Sequence, residues 1–184
     1  KVRYIGTSND TAYGLTKANE TSKNKNLARF ESIQNNFSLL NPRFLDELST
    51  VCKKENISLL PYSPIGGGVL SGKYNNAFYP EDARFSAYMK HENPRVQAQA
   101  TRFVNDKTIA ATIKYLELAR EYGISPVTLA VAYSKHFDFV SSTIIGARTS
   151  EQLDESLKAF NFAIDNELLS KIELIQKEIL YPMG

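Results

Sequence analysis

Four short polar clusters punctuate the chain, each directly after an apolar run: Ser8-Asn9, Gln34-Asn35-Asn36, Tyr62-Ser63 and Gly146-Ala147-Arg148. Hydroxyl and carboxamide groups offer donors and acceptors to an uncharged polar ligand, and an arginine offers a bidentate fork to a phosphate. Taken singly, each cluster is better read as turn formers and helix caps. Four of them at equivalent places favour a shared site. The strongest local signature is Gly146–Gln152, where a loop carrying Arg148 leads into Thr149 and Gln152 at capping-box spacing. A helix N-terminus there would present free N–H groups to an anion. An ordinary capped helix with an exposed arginine fits the motif equally well. Gly66-Gly67-Gly68 follows Ser63-Pro64-Ile65. Such glycines let backbone N–H groups come close to a phosphate, but the run is neither a dinucleotide fingerprint nor a P-loop, and a flexible connector reads the same. Lys73 and Arg84 can add positive charge, or be solvated surface cations. Tyr62 can stack on an aromatic ligand ring or pack in a core.

Other chemistries find no support. His91 and His136 are isolated, with no partner at metal-ligand spacing. No Gly-x-Ser-x-Gly elbow is present. Cys52 is the single cysteine and lies on an apolar helical face, so it reads as a buried hydrophobe and not a nucleophile.

The elements that must position these clusters alternate. Val2-Arg3-Tyr4-Ile5-Gly6, Phe30–Gln34, Ile57–Tyr62 and Phe139–Ile145 read as strands. Helices are expected from Thr11 to about Lys23, from Pro42 through Cys52, from Ile109 to near Gly123, over Val127–His136, over Ser150–Phe160 and from Glu167 to Leu180. Ser125-Pro126 looks like an N-cap followed by a first helical position. Residues 74–105 show no clean period and read as a long loop, functional or disordered. Alternation of this kind predicts an α/β fold with parallel strands and right-handed crossovers. A doubly wound sheet and a piece of an eight-stranded barrel both fit it. In either, ligands bind at the carboxyl ends of the strands, where the polar clusters lie.

Composition narrows the classes. The 184 residues suit one domain or a piece of a larger one. Hydrophobic residues make up 42% and charged residues 23%, too apolar for intrinsic disorder. Lys+Arg (22) nearly balance Asp+Glu (20), a net charge of +2, which argues against nucleic-acid binding driven by charge. No apolar run approaches the ~18 residues of a membrane span, so no membrane partner is expected. The single thiol fits a reducing, cytoplasmic compartment. The chain opens without Met inside an expected strand, as a piece of a longer protein would.

The motifs also carry a resemblance. Arg3–Asn9, Gln34-Asn35, Leu60–Tyr74 and Ser142–Arg148 with Gln152-Leu153 closely resemble the aldo-keto reductases, in the branch of the Tas-like proteins and the potassium-channel β-subunits. That family folds as a (β/α)8 TIM barrel and reduces aldehydes and ketones with NADPH. The resemblance implies that residues 1–184 are the C-terminal half, strands five to eight with their helices, with a cofactor-covering loop at about 66–105. It implies that Ser8, Asn9 and Gln34 hold the nicotinamide carboxamide and that Tyr62 stacks on its ring. Ser63, Ile65, Gly67, Ser71 and Lys73 would line the pyrophosphate, with Arg84 close by. Gly146, Arg148, Gln152 and Glu155 would hold the adenosine and its 2′-phosphate; relatives often carry Asn where Ser156 stands. The family's catalytic Asp, Tyr, Lys and His precede this stretch, so no residue here takes a catalytic role and no metal is implied. The expected partners are a small carbonyl substrate and either the N-terminal half or a second copy that completes the barrel. A regulatory NADPH-sensing subunit and a non-catalytic half-barrel are the alternatives.

Overall fold

The computed structural model describes residues 1–183. Three parallel strands, β1 (Ile5–Ser8), β2 (Phe30–Asn36) and β3 (Ser58–Tyr62), lie side by side in chain order. β1 starts at Ile5, later than the Val2 start expected, because pairing with β2 begins at Ile5 opposite Phe30. The register sets Ser8 opposite Gln34, and Asn36 opposite Tyr62, so the polar clusters finish on one rim. Ile33 and Leu59 are paired and fully buried on the helix-covered face. On the opposite face Ser8 and Gln34 are exposed, while Ser32, Leu60 and Tyr62 are half-buried.

The fourth expected strand, Phe139–Ile145, is reduced to one bridge between Val140 and Leu59. The Leu59 N–H donates to Phe139 O at 2.7 Å, and the Ser141 N–H returns to Leu59 O at 3.1 Å. The next rung fails because Pro61 has no N–H to give. Only its carbonyl pairs, accepting from the Ile144 N–H at 2.8 Å. The segment still runs parallel to β3, on the side away from β2.

The outer helices mostly follow their caps. α1 (Ala12–Asn24) starts at Thr11, whose hydroxyl accepts from the Gly14 N–H. The helix expected from Pro42 splits into a 3₁₀ turn, Arg43–Leu45, and α2 (Leu48–Glu55). Phe44 on the turn and Cys52 on the helix both reach the core. Residues 74–105 are not a loop. They hold a 3₁₀ turn at Asn75–Ala77, then α3 (Arg84–Met89) and α4 (Pro94–Phe103). Phe85 and Phe103 stack at 4.8 Å between ring centres and bury the junction. Helices this short show too few turns for a period to register in the sequence. α5 (Asp106–Glu121), α6 (Pro126–Lys135), α7 (Ser150–Leu157) and α8 (Asn166–Glu178) complete the chain. Among the described residues no helix is long and apolar enough to cross a membrane.

Candidate functional site

The rim of the sheet carries a continuous hydrogen-bonded cluster. The Ser8 hydroxyl donates to the Gln34 carbonyl at 3.0 Å, and the Asn9 amide donates to the Ser8 oxygen at 3.2 Å. Asn9 turns with φ 55°, which its short side chain tolerates, and its backbone N–H donates to Asn35 Oδ1 at 2.9 Å. The Tyr62 hydroxyl, one strand further, donates to Asn9 Oδ1 at 2.8 Å. This chain of bonds fixes the Tyr62 ring by its far end. The exposed Gln34 carboxamide sits at the same level as Ser8.

Beyond β3 the backbone winds through Ser63 (φ 55°), Gly66, Gly67 and Gly68, all left-handed. Ser63 O accepts from the Gly66 N–H at 2.9 Å, and Ile65 O accepts from the Gly68 N–H at 3.0 Å. Ile65 packs half-buried against the core, and Ser71 closes the turn by donating to Gly68 O at 2.8 Å. The turn is tight against its surroundings. A Cβ on Gly67 would stand 2.6 Å from the Phe85 ring, and one on Gly68 would stand 2.7 Å from the Lys73 ammonium.

Three cations converge beside this turn. Burial of its stem lowers the Lys73 ammonium from its ordinary value, and the neighbouring Arg148 and Arg84 charges lower it further. None of the three is in an ion pair among the described residues. The Arg148 guanidinium donates to the Asp82 carbonyl, which ties the loop before α7 to the start of α3.

At the α7 N-terminus the Thr149 hydroxyl accepts from the Gln152 N–H, as capping-box spacing requires. The Gln152 side chain reaches one residue further back, accepting from the Arg148 N–H at 3.0 Å. It thereby holds the loop on which Arg148 sits. Gly146 is exposed, with open space about its Cα. Glu155 is turned elsewhere. Its carboxylate accepts from the hydroxyl of Ser125, the N-cap of α6, and its carbonyl accepts from Thr128 Oγ1 at 3.1 Å. The Ser156 hydroxyl donates to Gln152 O at 3.0 Å and stays within its own helix.

A cavity of about 410 Å³ opens beside Asn9 and Tyr62, and Arg43 and Arg102 line it. The sequence reading missed both arginines. They are 59 positions apart (102 − 43), and only the close approach of α4 to the turn after β2 brings them together. Cys52 is 1% exposed, and burial raises its thiol to about 11. No group of three or more metal-ligating side chains forms among the described residues.

The aldo/keto reductase family pattern matches residues 1–177. The protein tas of Escherichia coli is 34% identical over 182 residues, covering 99% of this chain and 50% of tas. An aldo-keto reductase of Babesia bovis is 29% identical, over 85% of this chain and 54% of its own. A rice protein named "Probable voltage-gated potassium channel subunit beta" is 29% identical, over 94% of this chain and 52% of its own. The chain spans about half the length of the curated relatives it matches. On this match, which runs through every element that builds the rim, the chain belongs to the aldo/keto reductase family.

Proposed function

We propose that this chain is the dinucleotide-holding, C-terminal half of an NADPH-dependent carbonyl reductase, whose intact form closes as a (β/α)8 barrel. The observation that carries the reading is the trio Lys73, Arg84 and Arg148, in no ion pair among the described residues, with both arginines disfavouring the Lys73 charge beside a glycine turn at the carboxyl ends of parallel strands. Such a trio fits the phosphates of NADPH, because an anion relieves the repulsion and charge-assisted bonds follow. Strand order supports the barrel. β1, β2, β3 and the bridged segment at Val140 neighbour one another in chain order, with no switch point.

NADPH, when bound, supplies the hydride and its electron pair for the carbonyl carbon. The residues of this chain bind and orient it. Tyr62, held through its hydroxyl, offers a ring face to the nicotinamide, and Gln34 offers both amide poles to the carboxamide. Ser8 and Asn9 fix that rim. Ser63, Ile65, Gly67 and Ser71 shape the turn for the pyrophosphate, with Lys73 and Arg84 as its counter-charges. Gly146 leaves room for the adenosine, and Gln152 sets the loop that aims Arg148 at the 2′-phosphate. Glu155 acts from behind, bracing α7 on the α6 cap. The proton for the carbonyl oxygen comes from the upstream half, which the reading supplies with the family's Asp, Tyr, Lys and His.

The test uses the full-length protein. Arg148→Ala is expected to weaken NADPH binding by about 1.5–3 kcal/mol, and NADH binding much less. Equal losses in calorimetry would contradict the reading. The relationship to the rice protein favours one other role, a regulatory subunit that senses NADPH. Binding would then persist without turnover of any aldehyde.

A further inference from the structure

The cavity beside the Tyr62 rim has an uneven charge. Arg43 and Arg102 stand in its wall, and among the described residues the remaining polar lining is asparagine amides and the Tyr62 phenol, with no carboxylate. Neither arginine is in an ion pair among the described residues. Arg43 is held from outside the cavity. Its guanidinium carbon lies 4.6 Å from the centre of the Tyr181 ring, and the Tyr181 hydroxyl donates to Asp46 at 3.0 Å. Arg102 also borders a second cavity, of about 390 Å³, to which Lys107 adds a further cation. Asn36 also lines the first cavity, with its carboxamide oxygen buried and without a partner among the described residues. Phe44 and Leu48 give that wall an apolar stretch.

Two arginines on one concave wall, whose lining holds no carboxylate among the described residues, raise the local concentration of anions and offer forks that match their oxygens bidentately. We propose that this cavity seats a carbonyl substrate bearing an anionic group, a carboxylate or a phosphate, at the end remote from its carbonyl. Arg43 and Arg102 grip the anion, Phe44 and Leu48 flank the connecting carbons, and the reducible end lies toward Tyr62. The proposal rests on the carbonyl-reductase reading and adds the substrate class.

The test uses pairs of aldehydes, one member anionic and the other uncharged, on the full-length protein. Para-formylbenzoate is compared with para-formylbenzamide, and glyceraldehyde 3-phosphate with glyceraldehyde. The anionic member of at least one pair is expected to show roughly tenfold or higher kcat/KM, carried by KM. The pair that shows it distinguishes carboxylate from phosphate. Arg43→Leu and Arg102→Leu should each collapse that ratio toward one. Turnover with no preference in either pair overturns the inference and leaves the reductase reading standing. If no aldehyde is turned over, the reductase reading falls, and calorimetry of the same four compounds decides the inference. Tighter binding of an anionic member, lost in Arg43→Leu, supports it; equal or weaker binding overturns it.

Discussion

At the scale of single residues, burial decides what each polar or ionisable group can do. Cys52 shows this with a definite sign. In an unfolded chain its thiol ionises near its ordinary 9.0, whereas the folded environment keeps it protonated up to about 11. Below 9 both states hold the proton. Between 9 and 11 only the unfolded state releases it, so stability falls by roughly 2–3 kcal/mol over that interval. Tyr115 and Tyr133, both raised by burial, add to the fall once the unfolded phenols ionise near 10.0. Urea unfolding at about pH 8, 9 and 10 should therefore show a decline that begins before tyrosine ionisation; in Cys52→Ala the early part should vanish and only the later, tyrosine part remain. An unchanged decline in the variant would mean that the thiol is not the cause. The same burial makes the native thiol slow toward alkylating reagents, as its apolar helical position led one to expect. Arg43 and Arg102 stand at the other extreme. Their types are unremarkable and their separation in the chain carries no period, so only the fold gives them a joint meaning.

At the scale of elements, the glycine turn after β3 ties the rim to α3. Gly67 has φ 63°, and a Cβ there would meet the Phe85 ring at 2.6 Å. Phe85 cannot retreat easily, being buried between Phe103 and Tyr74. Gly123 has a similar φ of 64°, yet nothing lies within 4 Å of its added Cβ. Gly123→Ala therefore bears only backbone strain, about 1 kcal/mol, while Gly67→Ala adds overpacking of about 1–3 kcal/mol. Urea midpoints of the two variants should differ in that order; equal losses would show that Phe85 yields freely. On the proposed reading, Gly67→Ala should also weaken NADPH binding, because Arg84 adjoins Phe85 at the head of α3. Elements with a local signature were legible in the sequence. Ser125-Pro126 opens α6 and Thr149 caps α7, since caps are written in adjacent residues. The site's strand ends were legible for the same reason. What escaped the reading depends on partners distant in the chain. α3 and α4 are held by the Phe85–Phe103 contact, and the strand at Phe139–Ile145 is broken by a proline 79 positions earlier than Val140 (140 − 61). The bond from Ser125 to the Glu155 carboxylate, where α7 packs on the α6 cap, is likewise a contact between residues distant in the chain.

At the scale of the whole molecule, the sheet is closed on one side only. Helices bury the face that carries Ile33 and Leu59, while Ser8 and Gln34 on the other face stay exposed. Parallel sheets are ordinarily covered on both faces. The outer edge of β1 pairs with nothing among the described residues, and the chain leading into it carries Val2 at 76% and Tyr4 at 75% exposure. The bridged segment at Val140 presents a second unpaired edge beyond β3. An unpaired edge is a template for another chain, and closure into a barrel removes both edges at once. The net charge of +2 gives little electrostatic resistance to association. On the half-barrel reading proposed above, an upstream half pairs with these edges; without it, the bare edges leave the chain to pair with itself. The 184-residue chain alone is therefore expected to scatter light as a dimer or larger species at micromolar concentration. Adding the upstream half in trans should dissolve that assembly into a one-to-one complex and protect the β1 amides from hydrogen exchange. A cooperative, compact monomer with protected β1 amides would overturn the expectation. It would mean that the polar face and both edges are stable in water as they stand, and that this α/β unit is a domain in its own right.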